Sequence, residues 1–116
     1  MALANRVPMV RLDFVFRALG DPTRRWIIEQ LLDIDASVGQ LGESQPMSLT
    51  AFMRHVHVLE QCGLVHTYKV GRARQCSIET GPLREAEHWM RRALWAGYGN
   101  RLGSLPEDWY PRAAYR

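Results

Sequence analysis

The spacing of hydrophobic and polar residues predicts a mainly helical chain with one β-hairpin, in the order helix, helix, short helix, helix, hairpin, helix. The first predicted helix covers residues 10–19, and apolar residues occupy most of its sides. A helix that is apolar all round is expected to be buried all round. Because a short helix in a small domain is rarely covered on every side by its own chain, the pattern favours contact with a second chain.

A second helix is predicted directly after Gly20, which ends the first. Asp21 can accept hydrogen bonds from the first backbone N–H groups of this helix. Pro22 suits the first helical position, because no N–H is needed there. The expected apolar stripe of the second helix consists of Ile27, Ile28, Leu31 and Leu32.

Residues 37–63 have the pattern of a helix-turn-helix. Ser37 and Gln40 have the S-x-x-Q spacing of a capping box, and the helix that they begin is short because glycine, serine and proline interrupt the segment after it. Ser48 then caps a longer helix, which Gly63 ends. Two such helices joined by a tight turn predict a helix-turn-helix.

A β-hairpin, or wing, is predicted over residues 64–78. The run LVHTYKV is rich in residues that favour strands, GRA can turn, and RQCSI can return as the second strand. The tip of this hairpin carries Lys69, Arg72 and Arg74.

A last helix is predicted over residues 82–102, followed by a tail over residues 103–116. No repeat or low-complexity stretch divides the chain, and 116 residues can bury a core without disulfides or metals. We therefore expect a single winged helix-turn-helix domain over residues 1–116, mainly α with a small β-hairpin.

The helix after Ser48 has two different sides when its residues are placed at about 100° per residue. The apolar side, expected to face the core, consists of Leu49, Phe52, Val56 and Leu59. The opposite side consists of Thr50, Ala51, Arg54, His57 and Val58, with Met53 and His55 at the flanks. Small residues, one arginine and imidazoles near the N-terminal half are typical of a recognition helix that enters the major groove of DNA.

The excess positive charge lies in one segment of the chain. The net charge is +3, and residues 48–78 hold four basic residues and one acidic residue, whereas the other residues hold eleven of each sign. A localised basic patch favours binding to a polyanion. A solvated basic surface with no partner is the alternative.

Several classes of protein are disfavoured by the composition. No apolar run approaches the roughly 20 residues of a membrane helix, and the charged N-terminal segment lacks the pattern of a secretory signal. Two cysteines fit a reduced cytoplasmic protein better than a disulfide scaffold. No nucleophile–base arrangement, phosphate loop or carboxylate pair indicates an enzyme, and no cofactor is expected.

Double-stranded DNA is the partner that these residue types suit best. We expect Thr50, Arg54 and His57 to read the groove, with Ala51 small enough to allow close approach and Met53 beside them. Ser48 is expected to cap the helix and touch phosphate. His55 and the wing residues Lys69, Arg72 and Arg74 are expected to contact mainly the DNA backbone.

Five runs of the sequence resemble the ArsR family of bacterial winged-helix transcriptional regulators, over residues 16–92. They are FRALGDPTRRWIIEQLL, SVGQLGE, MSLTAFMRHVHVLEQCGLV, GRARQCSI and PLREAEHWMRR. The resemblance implies a repressor that forms a homodimer through its first and last helices and binds an imperfect palindrome. Many relatives carry serine at the position of Met53, so their base preference does not transfer directly.

A metal site is the competing interpretation of the histidines and cysteines. The short helix has no cysteine and the last helix has no second histidine after His88, so both sites of metal-sensing relatives are absent. Cys62, His66 and Cys76 remain as possible ligands if the hairpin folds back, or the two cysteines as a redox pair. A winged-helix module that binds proteins is a further alternative, and any inducer is unknown.

Overall fold

The computed structural model describes residues 11–101, with the backbone alone for residues 96–101. By its internal contacts the chain divides into two compact units, Met1–Ala86 and Glu87–Arg116. The predicted positions Val10 and Leu102 and the tail over residues 103–116 lie outside the described residues. The prediction of a single domain stays a prediction.

The described residues form five helices and three strands. In chain order these are α1 (Leu12–Leu19), α2 (Pro22–Gln30), β1 (Ala36–Ser37), α3 (Val38–Glu43), α4 (Leu49–Gln61), β2 (Val65–Val70), β3 (Ala73–Ile78) and α5 (Gly81–Arg101).

Side-chain caps begin the helices where the sequence predicts them. Asp21 Oδ1 accepts hydrogen bonds from the N–H groups of Thr23 at 2.8 Å and Arg24 at 3.1 Å. At α3, Ser37 and Gln40 form a complete capping box, in which each side chain accepts from the other residue's N–H. These bonds satisfy donors that the first turn of a helix leaves without intrahelical partners.

A Schellman motif ends α4. Gly63 has a φ of +78°, in the left-handed region that glycine adopts without a steric penalty. The Gly63 N–H donates to the Glu60 carbonyl at 3.0 Å, and the Leu64 N–H donates to the Leu59 carbonyl at 3.0 Å. Leu59 and Leu64 are both buried, so the apolar contact that accompanies this motif lies in the core.

The three strands form an antiparallel sheet in the order β1-β3-β2. The predicted hairpin is β2 and β3, with Gly71 at a φ of +61° in its turn. The strand β1 is not predicted from the sequence, because two residues carry no recognisable pattern. Ala36 and Ser37 become a strand only by pairing with Cys76 and Gln75 of β3.

The core takes side chains from α1 to α4, from β2 and β3 and from the start of α5, whereas Ala36 of β1 is only partly buried against it. Its buried apolar residues are Val15, Ala18, Ile27, Ile28, Leu31, Val38, Leu41, Phe52, Val56, Leu59, Leu64, Val65, Cys76 and Ala86. Three of the four residues expected on the apolar side of α4 belong to it.

Two expectations about burial are wrong. Leu49 is 60% exposed, because it occupies the first position of α4 and packs beside Gly42 of α3 instead of entering the core. Leu32 is 58% exposed, because α2 has ended before it and the helical spacing no longer applies. In α1, Phe14 is 38% exposed, so its own unit leaves one side of this helix uncovered.

Candidate nucleic-acid interface

One side of α4 is open to solvent and mixed in character. Thr50, Arg54 and His57 are exposed there, and Ala51 between them is half-buried. Ser48 precedes the helix, and its Oγ accepts a hydrogen bond from the Ala51 N–H at 3.1 Å. That bond uses the hydroxyl oxygen as an acceptor, so the hydroxyl hydrogen can still be donated to another group.

The flanking residues of α4 turn toward the protein. Met53 is half-buried and packs against the core, so its thioether is partly withdrawn from the exposed side. Val58, expected on the outward side, also packs against the core. It lines a groove of about 390 Å³ together with Phe14, Arg17, Gln61 and Cys62.

His55 belongs to a polar cluster that joins α4 to the start of α2. Its Nδ1 lies 3.1 Å from Arg24 Nη1 and 3.7 Å from Asp21 Oδ1. Burial raises the pKa of the Asp21 carboxyl, but the hydrogen bond from the Arg24 N–H and the charges of His55 and Arg24 outweigh it. The pKa therefore lies below its usual value of 3.8. One nitrogen of the His55 ring is therefore occupied by contacts that join α4 to the start of α2.

Arg24 also ties α1 to this cluster. Its Nε donates to the Ala18 carbonyl at 2.7 Å, and its Nη2 donates to the Arg17 carbonyl at 3.0 Å. The neighbouring Arg25 donates to the Leu19 carbonyl at 2.8 Å. These carbonyls belong to the last turn of α1, where few backbone donors remain; the Arg17 carbonyl also accepts from the Gly20 N–H at 3.2 Å. Sequence reasoning did not predict that Arg24 and Arg25 bind the carbonyls at the end of α1. The signal that could have indicated it is a pair of arginines in the first turn of a helix that closely follows another helix.

The wing places two cations side by side. Lys69 and Arg74 are paired directly across the β2–β3 ladder, and Arg72 lies in the turn between the strands. Because side chains alternate along a strand, Lys69 and Arg74 share their sheet face with Thr67 and the buried Cys76. Like charges directly opposite each other disfavour the pairing unless an anion offsets them.

A polar bridge connects α4 to this wing. The Thr67 hydroxyl donates to Glu60 Oε2 at 3.0 Å, and Arg74 Nη1 donates to the Thr67 hydroxyl at 2.8 Å. We call Glu60, Thr67 and Arg74 the α4–wing bridge. Sequence reasoning missed Glu60 and Thr67, because only the tertiary structure brings residues of the helix end and the hairpin together.

The ligands expected for the alternative metal site do not converge. Cys76 is fully buried on the inner sheet face, whereas His66 lies on the opposite face and its Nδ1 pairs with Glu79 Oε1 at 2.8 Å. The Cys62 thiol donates to the Leu59 carbonyl at 3.4 Å. Within residues 11–101 no three histidine, cysteine or acidic side chains form a group that could hold a metal ion.

Burial also makes both thiols poor nucleophiles. It raises the pKa of the Cys62 thiol, and it raises the pKa of the Cys76 thiol to about 11, with the Glu60 carboxylate adding to the effect. Both side chains are therefore protonated at neutral pH, and the thiolate is the form that binds metals and attacks disulfides. Both cysteines are free.

Comparisons with known proteins give relatives of one kind. The chain is 30% identical to the transcriptional repressor SdpR of Bacillus subtilis over 76 residues, which cover 66% of this chain and 84% of that protein. A crystal structure of an ArsR family transcriptional regulator matches with a TM-score of 0.68 and 38% identity, covering 76% of this chain and 97% of that one. The chain belongs to the ArsR family of transcriptional regulators.

A further relative is the HTH-type transcriptional regulator Rv2034 of Mycobacterium tuberculosis, 31% identical over 100 residues, with coverage of 83% of this chain and 92% of that protein. No family model matches the chain. The predicted ArsR resemblance and winged helix-turn-helix fold are confirmed, and this ArsR-family chain is a transcriptional regulator. Its relatives are regulators rather than enzymes. No helix of the described residues is long and apolar enough to cross a membrane.

Proposed function

We propose that this ArsR-family regulator is a cytoplasmic repressor that binds a palindromic operator as a homodimer and catalyses no reaction. The observation that carries the proposal is the exposed side of α4, where Thr50, Arg54 and His57 are open to solvent on a helix whose N-terminus is capped by Ser48. Glu60 is the one acidic residue of α4, and its carboxylate already accepts a hydrogen bond from the Thr67 hydroxyl.

In the proposed complex, α4 lies in the major groove. Arg54 donates to guanine O6 and N7, Thr50 and Ala51 contact base edges or a thymine methyl, and His57 contributes a ring N–H or acceptor. Ser48 donates its hydroxyl hydrogen to a phosphate. The ring edge of His55 that faces away from Arg24 and the side of Met53 that stays exposed contact the DNA backbone and the groove wall.

The wing cations bind phosphates in the same complex. A phosphate beside Lys69 and Arg74 offsets the repulsion between two like charges paired across the ladder. Arg72 in the turn adds a third contact of the same kind. Such contacts supply affinity and register but carry no base preference.

A homodimer is supported by apolar side chains that the described residues leave exposed. On α5 these are Trp89, Met90, Leu94 and Trp95, and on α1 it is Phe14. Large exposed apolar side chains clustered on one helix are typical of an interface. Two-fold symmetry then places the two copies of α4 about 34 Å apart, which is one turn of DNA.

Selection of bound duplexes from a random pool, followed by equilibrium binding at several salt concentrations, tests the DNA-binding role. Replacing Arg54 with alanine is expected to weaken binding to the selected site by about 1–3 kcal/mol and to relax the preference at one base pair. The physical reason is the loss of a bidentate contact to a base edge. Arg72→Ala should instead weaken all duplexes alike and reduce the salt slope by about 1.

Arg84→Ala is the matched control, because Arg84 is an exposed arginine of α5 outside the α4–wing segment. It should leave both the base preference and the salt slope close to those of the wild type. Absence of any salt-dependent DNA binding by the wild-type protein would contradict the proposal and favour a module that binds other proteins.

A further inference from the structure

The two hydrogen bonds of the α4–wing bridge can run in only one direction from donor to acceptor, because of the chemistry of its three side chains. A carboxylate accepts hydrogen bonds and a guanidinium only donates them, whereas a hydroxyl does both. Thr67 can therefore stand between Glu60 and Arg74 in one way, donating to the first and accepting from the second. The negative charge of Glu60 polarises the hydroxyl and makes its oxygen a stronger acceptor for Arg74.

The bridge also has a defined place on the hairpin. Thr67 on β2 is paired with Cys76 on β3, and Arg74 lies two residues before Cys76 on β3. The side chains of Thr67 and Arg74 are therefore diagonal neighbours on one sheet face. The Arg74 side chain consequently leans from the wing tip toward the base of the hairpin. There Thr67 is half-buried beside the fully buried Cys76.

Arg74 differs in this respect from the other two wing cations. Within residues 11–101, the side chains of Lys69 and Arg72 make no hydrogen bond or ion pair. Arg74 uses one of its five N–H donors on Thr67 and remains exposed. The described residues also contain no direct ion pair between Arg74 and Glu60, so the threonine hydroxyl is the link between them.

We infer that Thr67 is a positioning residue for DNA binding: it holds the Arg74 guanidinium in one orientation relative to α4, with its remaining donors open to a phosphate. The inference rests on the function proposed above. Ordering a flexible arginine at an interface weakens binding, and an arginine that is already ordered avoids most of that loss. Thr67 itself touches no DNA in this arrangement.

Replacing Thr67 with valine tests the inference. Valine keeps the branched shape and the preference for a strand, but it can neither donate to Glu60 nor accept from Arg74. We expect affinity for the selected operator and for a random duplex to fall by about 3- to 10-fold alike, which is the range expected for losing the order of one long side chain. Thr67→Ser keeps both hydrogen bonds and should restore binding to within about 2-fold of wild type.

Tyr68→Phe is the matched control on the next residue. The Tyr68 hydroxyl donates to Asp35 Oδ2 at 2.6 Å on the opposite sheet face, so its removal also deletes one hydrogen bond of the wing without touching Arg74. Its affinity for DNA should equal that of the wild type. Circular dichroism at the binding temperature checks that each variant is folded.

Double variants distinguish positioning from a general effect on the fold. If Thr67 acts through Arg74, Thr67→Val should cause no further loss in an Arg74→Ala background but its full loss in an Arg72→Ala background. An equal loss in both backgrounds, or wild-type affinity for Thr67→Val alone, would overturn the inference while leaving the proposed function intact. A wild-type protein that binds no DNA would instead overturn the proposed function, and the inference with it.

Discussion

His55 and His57 are two positions apart on α4 and meet different surroundings. The His57 side chain is exposed, whereas one nitrogen of His55 contacts Arg24 and lies near Asp21. Residues two apart on a helix do not share a face, so these two histidines cannot bind one metal ion together. The contacts of His55 with α2 could not be predicted, because they join residues 31 positions apart.

Asp21 is the residue on which the cluster beside His55 depends most. Replacing it with alanine removes the cap of α2 and should lower the free energy of unfolding by about 1 kcal/mol, within a range of roughly 0.5–2 kcal/mol. Asp21→Asn should lower it less, because asparagine caps a helix nearly as well but lacks the charge that faces Arg24. Urea unfolding followed by circular dichroism at pH 7 measures both changes.

The difference between wild type and Asp21→Asn should also depend on pH. The pKa of Asp21 is lowered in the folded state, so its charge stabilises the fold above the unfolded value near 3.8. That contribution is lost as the pH falls through the lowered pKa. Equal losses for the alanine and asparagine variants at pH 7 would contradict the capping role.

At the scale of elements, two local signals determine the length of α4. Ser48 supplies the acceptor for the Ala51 N–H at one end, and Gly63 adopts a positive φ at the other. Both signals are short-range, so the sequence predicts the ends of this helix correctly. The strand β1 depends instead on pairing with β3, and its two residues contain no local signal.

Gly63→Ala should destabilise the protein by about 1–2 kcal/mol, because alanine adopts the left-handed conformation at roughly that cost. The added Cβ would meet the Pro82 ring carbon Cγ at 3.5 Å, which is an ordinary contact, so backbone strain is the expected cause. Thermal unfolding followed by circular dichroism measures the effect.

Gly39→Ala is the control for this prediction. Gly39 lies within α3, has no positive φ, and a Cβ there would meet nothing within 4 Å. Alanine favours a helix by about 1 kcal/mol over glycine, so this variant should be as stable as wild type or more stable. Destabilisation of both variants to the same extent would refute the explanation by backbone strain.

At the scale of the whole molecule, the proposed homodimer would cover the exposed apolar side chains of α5. We predict a dimer at micromolar concentration in sedimentation-velocity experiments. Trp95→Glu should shift the protein toward the monomer, since Trp95 is 60% exposed and a charge there disfavours an apolar interface. Leu32→Glu is the control, as Leu32 is comparably exposed but lies outside α5.

A wild-type protein that sediments as a monomer at this concentration would contradict the proposed homodimer. If Trp95→Glu leaves dimerisation unchanged, the dimer interface does not include the end of α5. Loss of cooperative binding to a two-half-site operator should accompany a shift toward the monomer, because the two copies of α4 must be held one turn of DNA apart.

The sequence alone determined the order of the main helices, the hairpin and the caps at Asp21, Ser37 and Ser48. These features depend on hydrophobic spacing and on hydrogen bonds between residues a few positions apart. The +3 excess of residues 48–78 likewise needs no coordinates. The winged helix-turn-helix fold follows from such local signals taken together, whereas the ArsR family is predicted from the resemblance of five runs of the sequence to that family.

The tertiary structure alone decided how the basic segment is arranged. It partly buried Met53 against the core and linked His55 to Arg24, and it placed His66 and Cys76 on opposite faces of the sheet. It also joined Glu60, Thr67 and Arg74 across α4 and the wing. These contacts depend on strand register and on the packing of distant elements, which no local pattern of residues encodes.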